Sequence, residues 1–174
     1  SEFLGSIEIC DLDVKNAPRR AVRATRGSGL GFIFQNFNLI DEMTVFDNIA
    51  LGLRSSNLDK KLAEQRVFNV AKDLKIDHRL DHFPPALSGG QQQRVAIARA
   101  TVSPKKIILA DEPTGNLDDK SSDFVMNLLR ELNAKGVAII LVTHNEKDAE
   151  SASRLYELIN GKLVLKNGKE IEAP

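Results

Sequence analysis

The sequence predicts an α/β fold built on a parallel sheet, and three observations carry that reading. Ile107-Ile108-Leu109-Ala110 and residues 137–142 are continuous apolar runs rather than alternating ones, the pattern of strands covered on both faces. Between them lies a helical pattern with Val125, Leu128, Leu129 and Leu132 on one side, so strand, helix and strand follow in turn. The interval from Gln35 to Ser88 holds only helical patterns, which sets a helical part inside the α/β arrangement.

A chain of 174 residues can bury the core of one domain with a subdomain, but hardly two independent domains. Its 24 basic and 24 acidic residues cancel, so no global field favours nucleic acid or an anionic membrane. Arg19, Arg20, Arg23 and Arg26 form the notable basic cluster and read as a solvated helix face. The lone Cys10 cannot form an internal disulfide, which suits a reducing compartment. The longest apolar run, 137–142, is far below the ~18 residues of a membrane helix, and no signal-peptide pattern opens the chain. Any membrane role is therefore expected to run through a partner.

In chain order, residues 6–10 read as a short strand, followed by an arginine-rich, helical segment through Arg26. Gly27-Ser28-Gly29-Leu30-Gly31 is expected to be a turn. It has no lysine after it and leads into the strand Phe32-Ile33-Phe34 rather than a helix, so it is not a phosphate loop. Thr44 with Asp47 three residues on marks a helix start, with Val45, Ile49 and Leu53 on its apolar side. Ala63, Val67, Val70, Ala71 and Leu74 form the next helical stripe and read as core. Residues 77–85 connect onward, ending in two prolines; His78 and His82 there lack a third ligand, which argues against a metal site.

Leu87-Ser88-Gly89-Gly90-Gln91-Gln92-Gln93-Arg94 follows. Ser88 and Gln91 have capping-box spacing, which predicts a helix from about Gly89 through Val95, Ala98 and Arg99 toward Thr101. The glycines leave the first free N–H groups open to an anion at the positive end of the helix. A bare Ser-Gly-Gly would equally open an ordinary capped helix. After the strand 107–110 come Asp111, Glu112 and Pro113, placing two carboxylates at the carboxyl end of a buried strand, where parallel sheets bind ligands. Alone, the pair could be a solvated helix cap. Lys135-Gly136 is the expected helix stop, and His144 stands just past the strand 137–142. Asn160-Gly161 and Asn167-Gly168 read as hairpin turns of a small β finish.

The octet and its continuation Val95-Ala96-Ile97-Ala98-Arg99-Ala100 resemble the signature motif of ATP-binding cassette (ABC) transporter ATPases. Gly31-Phe32-Ile33-Phe34-Gln35 is similar to that family's Q-loop, residues 107–112 to Walker B, Gly115-Asn116-Leu117-Asp118 to the D-loop and His144 to the switch histidine. The D-loop wording is that of the lipoprotein-releasing, macrolide-exporting and cell-division branch. The resemblance implies a P-loop NTPase (RecA-like) sheet of the ABC type, incomplete at the N-terminus, with an inserted helical subdomain. It divides the chain into 1–40 (core remnant with Q-loop), 41–103 (helical subdomain with signature) and 104–174 (C-terminal core). It implies ATP and Mg²⁺ as cofactors: Asp111 would hold Mg²⁺ and Gln35 would sense it. Glu112 would be the general base, His144 would contact the γ-phosphate, Ser88, Gly89, Gly90 and Gln91 would cap a partner's nucleotide, and Asp118 would link the two sites. Asn145, where many relatives have Asp, is a departure that touches only local hydrogen bonding.

The resemblance further implies a transmembrane permease as partner, with one of its cytoplasmic helices in the groove between Gln35 and residues 44–53. It also implies a second ATPase subunit paired head to tail, no nucleic acid, and a cytoplasmic location at the inner face of the membrane. A P-loop is missing: Gly161-Lys162 and Gly168-Lys169 are the only Gly-Lys pairs, and neither is followed by Ser or Thr. The chain alone is therefore expected to lack ATPase activity. The expectation is a fragment of a complete ATPase; the alternative is a degenerate module that interacts with an intact ATPase or permease. ABC ATPases of DNA repair are disfavoured because the interval 35–88 leaves no room for long coiled coils, and those of translation because a second cassette and basic linkers are absent. Loss of a central P-loop strand is expected to leave 107–110 and 137–142 with an unfilled neighbour and exposed apolar surface, favouring oligomers.

Overall fold

In the computed structural model, which describes residues 6–168, the chain begins with a hairpin of β1 (Glu8–Ile9) and β2 (Leu12–Asp13). The expected single strand over 6–10 is thus shorter and has a partner, because Cys10 and Asp11 both take left-handed backbone angles (φ 51° and 64°) and turn the chain. Helix α1 (Arg19–Ser28) follows, with Arg19, Arg20, Arg23 and Arg26 exposed as expected. It overturns the turn expected over 27–31. Gly27 and Ser28 are helical, Gly29 donates its N–H to the Thr25 carbonyl, and β3 (Leu30–Phe34) starts at the next residue.

The helical part comprises α2 (Val45–Ala50), α3 (Lys60–Asp73) and α4 (Gly89–Thr101), joined by short 3₁₀ turns. Thr44 caps α2 by accepting the Asp47 N–H at 3.1 Å and donates its hydroxyl to the Asp47 carboxylate at 2.8 Å. Val45, Ile49, Val67 and Ala71 are fully buried, so the predicted stripes are core. That core is continuous with Ile33 of β3 and with Ile108, Ala110 and Val125 farther along. Burying each of the larger side chains stabilises the fold by about 1.5–3 kcal/mol.

Strand β4 (Ile107–Asp111) lies between β3 and β5 (Ala138–Val142), parallel to both. Helix α5 (Asp119–Ala134) connects β4 to β5 and ends where predicted, with Gly136 at φ 91°. The sheet corrects two expectations. Strand β4 has a neighbour on each side, so of the two strands expected to lack a neighbour only β5 does, while β3 forms the other edge of the sheet. Strand β5 is not buried: Ile140 and Val142 are 54% and 57% exposed. The short α6 (Glu146–Ala149) leads to the hairpin β6 (Leu155–Ile159) and β7 (Lys162–Asn167), turned by Asn160 and Gly161, both with positive φ. The pairing expected beyond Asn167-Gly168 lies outside the described residues. No helix among the described residues is long and apolar enough to cross a membrane.

Candidate functional site

Parallel pairing in register places Phe34, Asp111 and Val142 side by side at the carboxyl ends of β3, β4 and β5. Gln35, Glu112 and Thr143 are therefore the next residues of three adjacent strands, with His144 one further on. Four of the predicted site residues, Gln35, Asp111, Glu112 and His144, thus meet at one end of the sheet, where open α/β sheets bind ligands.

Glu112 leaves the strand in a left-handed conformation, φ 45°, a backbone state that costs a residue with a Cβ roughly 1–3 kcal/mol. Its N–H donates to the Val142 carbonyl at 2.8 Å, so the chain stays tied to the sheet while the side chain is redirected. Oε2 accepts the Thr143 hydroxyl at 3.3 Å, and Oε1 stands 3.5 Å from His144 Nε2. Oε1 is buried and has no hydrogen-bond partner, leaving a carboxylate oxygen free for one more donor. The His144 ring is fully exposed, against 16% for the Glu112 side chain. Asp111 is exposed beside it.

Gln35 is exposed, and its amide rests against Gly115, where a Cβ would lie 2.9 Å from Gln35 Nε2. Asn116 donates to the Gln35 carbonyl at 3.1 Å, fixing the segment after β3 against the segment after β4. Asp118 caps α5, with its carboxylate accepting the Ser121 N–H at 3.0 Å and hydroxyl at 2.9 Å. These two bonds hold its carboxyl below the ordinary value of 3.8.

At the start of α4 the capping box is complete: Ser88 Oγ accepts the Gln91 N–H at 3.4 Å and Gln91 Oε1 accepts the Ser88 N–H at 3.0 Å. The first-turn N–H groups of Gly89 and Gly90 have no partner within the helix and point along its positive end. A Cβ on Gly90 would lie 2.5 Å from the Ser121 hydroxyl, so this glycine lets α4 approach α5. No hydrogen bond joins Ser88 or Gln91 to Glu112 or His144 among the described residues. The helix start instead packs beside the segment after β4, where a Cβ on Gly89 would lie 3.5 Å from the Asn116 carbonyl.

Several residues that complete the site were not singled out from the sequence. Thr143 anchors Glu112, and Thr114 donates its hydroxyl to the buried Asp148 at 2.6 Å. Asn145, which the sequence did single out, caps α6 by accepting the Asp148 N–H at 3.3 Å, so Asn serves the local hydrogen bonding that Asp would. Gln93 reaches from α4 to the Pro113 carbonyl. The only signal for Thr143 was its place next to His144.

The residues present fit a magnesium nucleotide in part. Mg²⁺ is commonly held by one or two carboxylates together with substrate phosphates, and Asp111 with the unpartnered Glu112 oxygen supplies such donors. No group of three or more His, Cys, Asp or Glu among the described residues could hold a metal unaided. The phosphate cradle does not fit: Gly161-Lys162 lies in the β6–β7 turn, away from any helix start.

The comparisons with known proteins agree with this geometry. A model of the family described as ABC transporter matches residues 4–115. An uncharacterised ABC transporter ATP-binding protein of Methanocaldococcus jannaschii is 47% identical over 77% of this chain and 60% of its own length. The lipoprotein-releasing system ATP-binding protein LolD of Geobacter metallireducens is 40% identical over 92% of this chain and 72% of its own. Macrolide export ATP-binding/permease proteins named MacB match as well, with this chain spanning about a quarter of their length. Among solved structures, the dimeric ATP-binding cassette MJ0796 bound to ADP and Pi superposes with a TM-score of 0.85 at 32% identity, over 96% of this chain and 75% of that one. This chain therefore spans only part of each relative.

Proposed function

The chain belongs to the ABC transporter ATPases, in the branch of ATP-binding subunits that includes LolD and MacB, and from that premise we propose that it contributes two half-sites for ATP hydrolysis. One half-site is the strand ends with Gln35, Asp111, Glu112 and His144. The other is the helix start with Ser88, Gly89, Gly90 and Gln91. The observation that carries this reading is the alignment of Gln35, Glu112 and Thr143-His144 after three parallel strands, with one buried Glu112 oxygen unpartnered.

At the strand ends, Glu112 Oε1 would accept a hydrogen bond from the attacking water and take its proton, while Thr143 holds the other oxygen in place. His144 would contact the γ-phosphate from its exposed position beside Glu112. Asp111, with Gln35 nearby, would hold Mg²⁺, which when bound would supply charge neutralisation at the phosphate oxygens. At the helix start, the Gly89 and Gly90 N–H groups and the Ser88 hydroxyl would face a nucleotide held by another subunit in a head-to-tail pair; the similar cassette MJ0796 is dimeric. Asp118, which caps α5, would carry contact between the two sites. Residues 1–40, 41–103 and 104–174 act in this reading as core remnant, helical subdomain and C-terminal core.

A P-loop has to come from outside these 174 residues, upstream or on another chain. A helix N-terminus contributes about 0.3–1 kcal/mol to holding an anion, ~2 in favourable geometry, whereas micromolar binding needs about 8 kcal/mol. The chain alone would not hold ATP and would not turn it over. In the complete assembly the ATPase would work at the inner face of a membrane through a permease subunit.

The test is pairing. Light scattering of this chain mixed with an intact ABC ATPase subunit of the same branch should show a complex with MgATP and none without. Ser88→Arg, which puts a bulky cation at the helix start, should abolish it. Pairing that ignores both ATP and Ser88→Arg would refute the half-site and favour a degenerate interaction module. Turnover by the purified chain alone, lost in Glu112→Gln, would refute its dependence on an external P-loop.

A further inference from the structure

The imidazole of His144 is fully exposed and stands 3.5 Å from Glu112 Oε1, with no hydrogen bond closing that gap. The place of the ring is therefore set by the backbone of residues 143–145. That backbone belongs to a closed series of hydrogen bonds. Glu112 Oε2 accepts the Thr143 hydroxyl at 3.3 Å, and the Thr143 oxygen in turn accepts the Asn145 N–H at 3.0 Å. The Asn145 side chain accepts the Asp148 N–H at 3.3 Å, and the Asp148 carboxylate accepts the Thr114 hydroxyl at 2.6 Å. Thr114 lies two residues past Glu112, in a turn closed by the Gly115 N–H on the Glu112 carbonyl at 3.1 Å. The circuit starts and ends at Glu112 and runs around His144 without including it.

Its far link is the costly one. Thr114 and Asp148 are both buried, and Asp148 forms no ion pair among the described residues. A carboxylate taken out of water without a cation is expensive unless it is hydrogen-bonded, and an apolar side chain would fill the same space at less cost. Helix α6 has only four residues, too few to be rigid by itself. On its outer side Lys147 pairs with Asp123 at 2.7 Å, but both side chains are exposed and such a pair contributes little. The buried bond from Thr114 to Asp148 is what fixes α6 to the turn after Glu112.

We propose that Thr114 and Asp148 are positioning residues, whose buried hydrogen bond sets α6 against the Glu112 turn and thereby holds His144 within reach of Glu112 Oε1. Its consequence for hydrolysis rests on the ATPase reading, in which these two side chains serve one phosphate and its attacking water. Neither Thr114 nor Asp148 hydrogen-bonds to the Glu112 carboxylate or the His144 ring among the described residues. Misplacement by about 1 Å at a reacting centre can cost roughly 10²-fold in rate, so a link this far back still matters.

The test is a ¹H–¹³C spectrum of the histidine Cε1–H groups of the whole chain at about pH 8.5, where an ordinary imidazole is neutral. His78 and His82, in the helical part, serve as internal controls. In the parent, Glu112→Gln should shift the His144 signal and leave the other two in place. In Thr114→Val and in Asp148→Ala most of that response should be lost, with His78 and His82 unmoved. Thr114→Ser, which keeps the hydroxyl, should retain it. The double variant Thr114→Val/Asp148→Leu leaves no buried orphan and should regain stability in urea over Thr114→Val, while its His144 response stays lost. A purely structural role would restore both together. If a single variant unfolds by circular dichroism, the double variant is read in its place. A folded Thr114→Val with the parental response, a double variant that recovers the response with its stability, or a His144 signal indifferent to Glu112→Gln in the parent would overturn the proposal. Loss of ATP-dependent pairing with the His144 response behaving as expected would fault the ATPase reading alone; pairing that persists while the response ignores Thr114 would fault the circuit alone.

Discussion

Gln93, wholly buried on α4, donates its side-chain Nε2 to the Pro113 carbonyl at 2.5 Å and so ties the signature helix to the turn that follows Glu112. Its Oε1 is buried without a partner. Gln93→Leu removes that orphan acceptor but leaves the Pro113 carbonyl unpaired, a loss of about 1–2 kcal/mol. Gln93→Glu sets a second acceptor, and a charge, against the same carbonyl and should cost roughly 3–5 kcal/mol. Urea unfolding of the three proteins measures both. A Glu variant as stable as the Leu variant would show that the Pro113 contact does not hold the helix.

Glu112 combines strain with function, and the two can be separated. Glu112→Gly relieves the left-handed backbone at φ 45° and loses the Thr143 bond. The net change in stability should be a gain of up to about 1 kcal/mol. Glu112→Gln keeps the shape and should leave stability near that of the parent. Where a P-loop is supplied, both variants should lower the hydrolysis rate by about 10²–10⁴-fold. Phosphate release measures the rate and thermal unfolding the stability. A Gly variant clearly less stable than the Gln variant would contradict the strain.

Asp118 gives a pH signature. Its carboxyl is held below the ordinary 3.8 by the Ser121 N–H first and the Ser121 hydroxyl second, so the charged form is the one favoured by folding. A depressed folded value means that the contribution is complete above 3.8 and fades as pH falls through the lowered value. Asp118→Asn keeps a good cap and does not titrate. The stability of the parent relative to this variant should be flat from neutral pH down to the ordinary aspartate range and then fall. Denaturation midpoints for both proteins across that range provide the measurement, and parallel profiles would remove Asp118 from the acid limb.

What the sequence revealed was what depends on neighbours in the chain. The Ser88–Gln91 box, the Thr44 cap and the stop at Gly136 are formed by residues within a few positions of each other, and each is present in the structure. The turn expected over 27–31 failed because its small residues read as a loop, while the Gly29 N–H to Thr25 bond carries α1 to its end. The apolar run of β5 by itself reads as a buried strand; its exposure is that expected from the lack of a P-loop strand, since a run of apolar residues does not say which strand lies beside it. The partners Thr143, Thr114, Asp148 and Gln93 were missed for a related reason: their three contacts join residues 20 to 34 positions apart and leave no local pattern. The arginines of α1 were read as a solvated face and are exposed, but their alignment with Arg54, Arg99 and Lys105 is a product of the fold.

The open edge of β5 should govern how the chain behaves in solution. Its outer backbone groups face no strand among the described residues, and Ile140 and Val142 lie exposed along it. An apolar edge of this kind pairs with another chain unless a charge intervenes. Light scattering should find concentration-dependent oligomers of the parent. Ile140→Lys and Val142→Lys should shift the chain toward monomer while changing its stability by less than about 0.5 kcal/mol, since both side chains are more than half exposed. A parent that stays monomeric at high concentration, or a Lys variant that still oligomerises, would place the association elsewhere, with the exposed Leu158–Leu163 pair of the β6–β7 hairpin as the next surface to substitute.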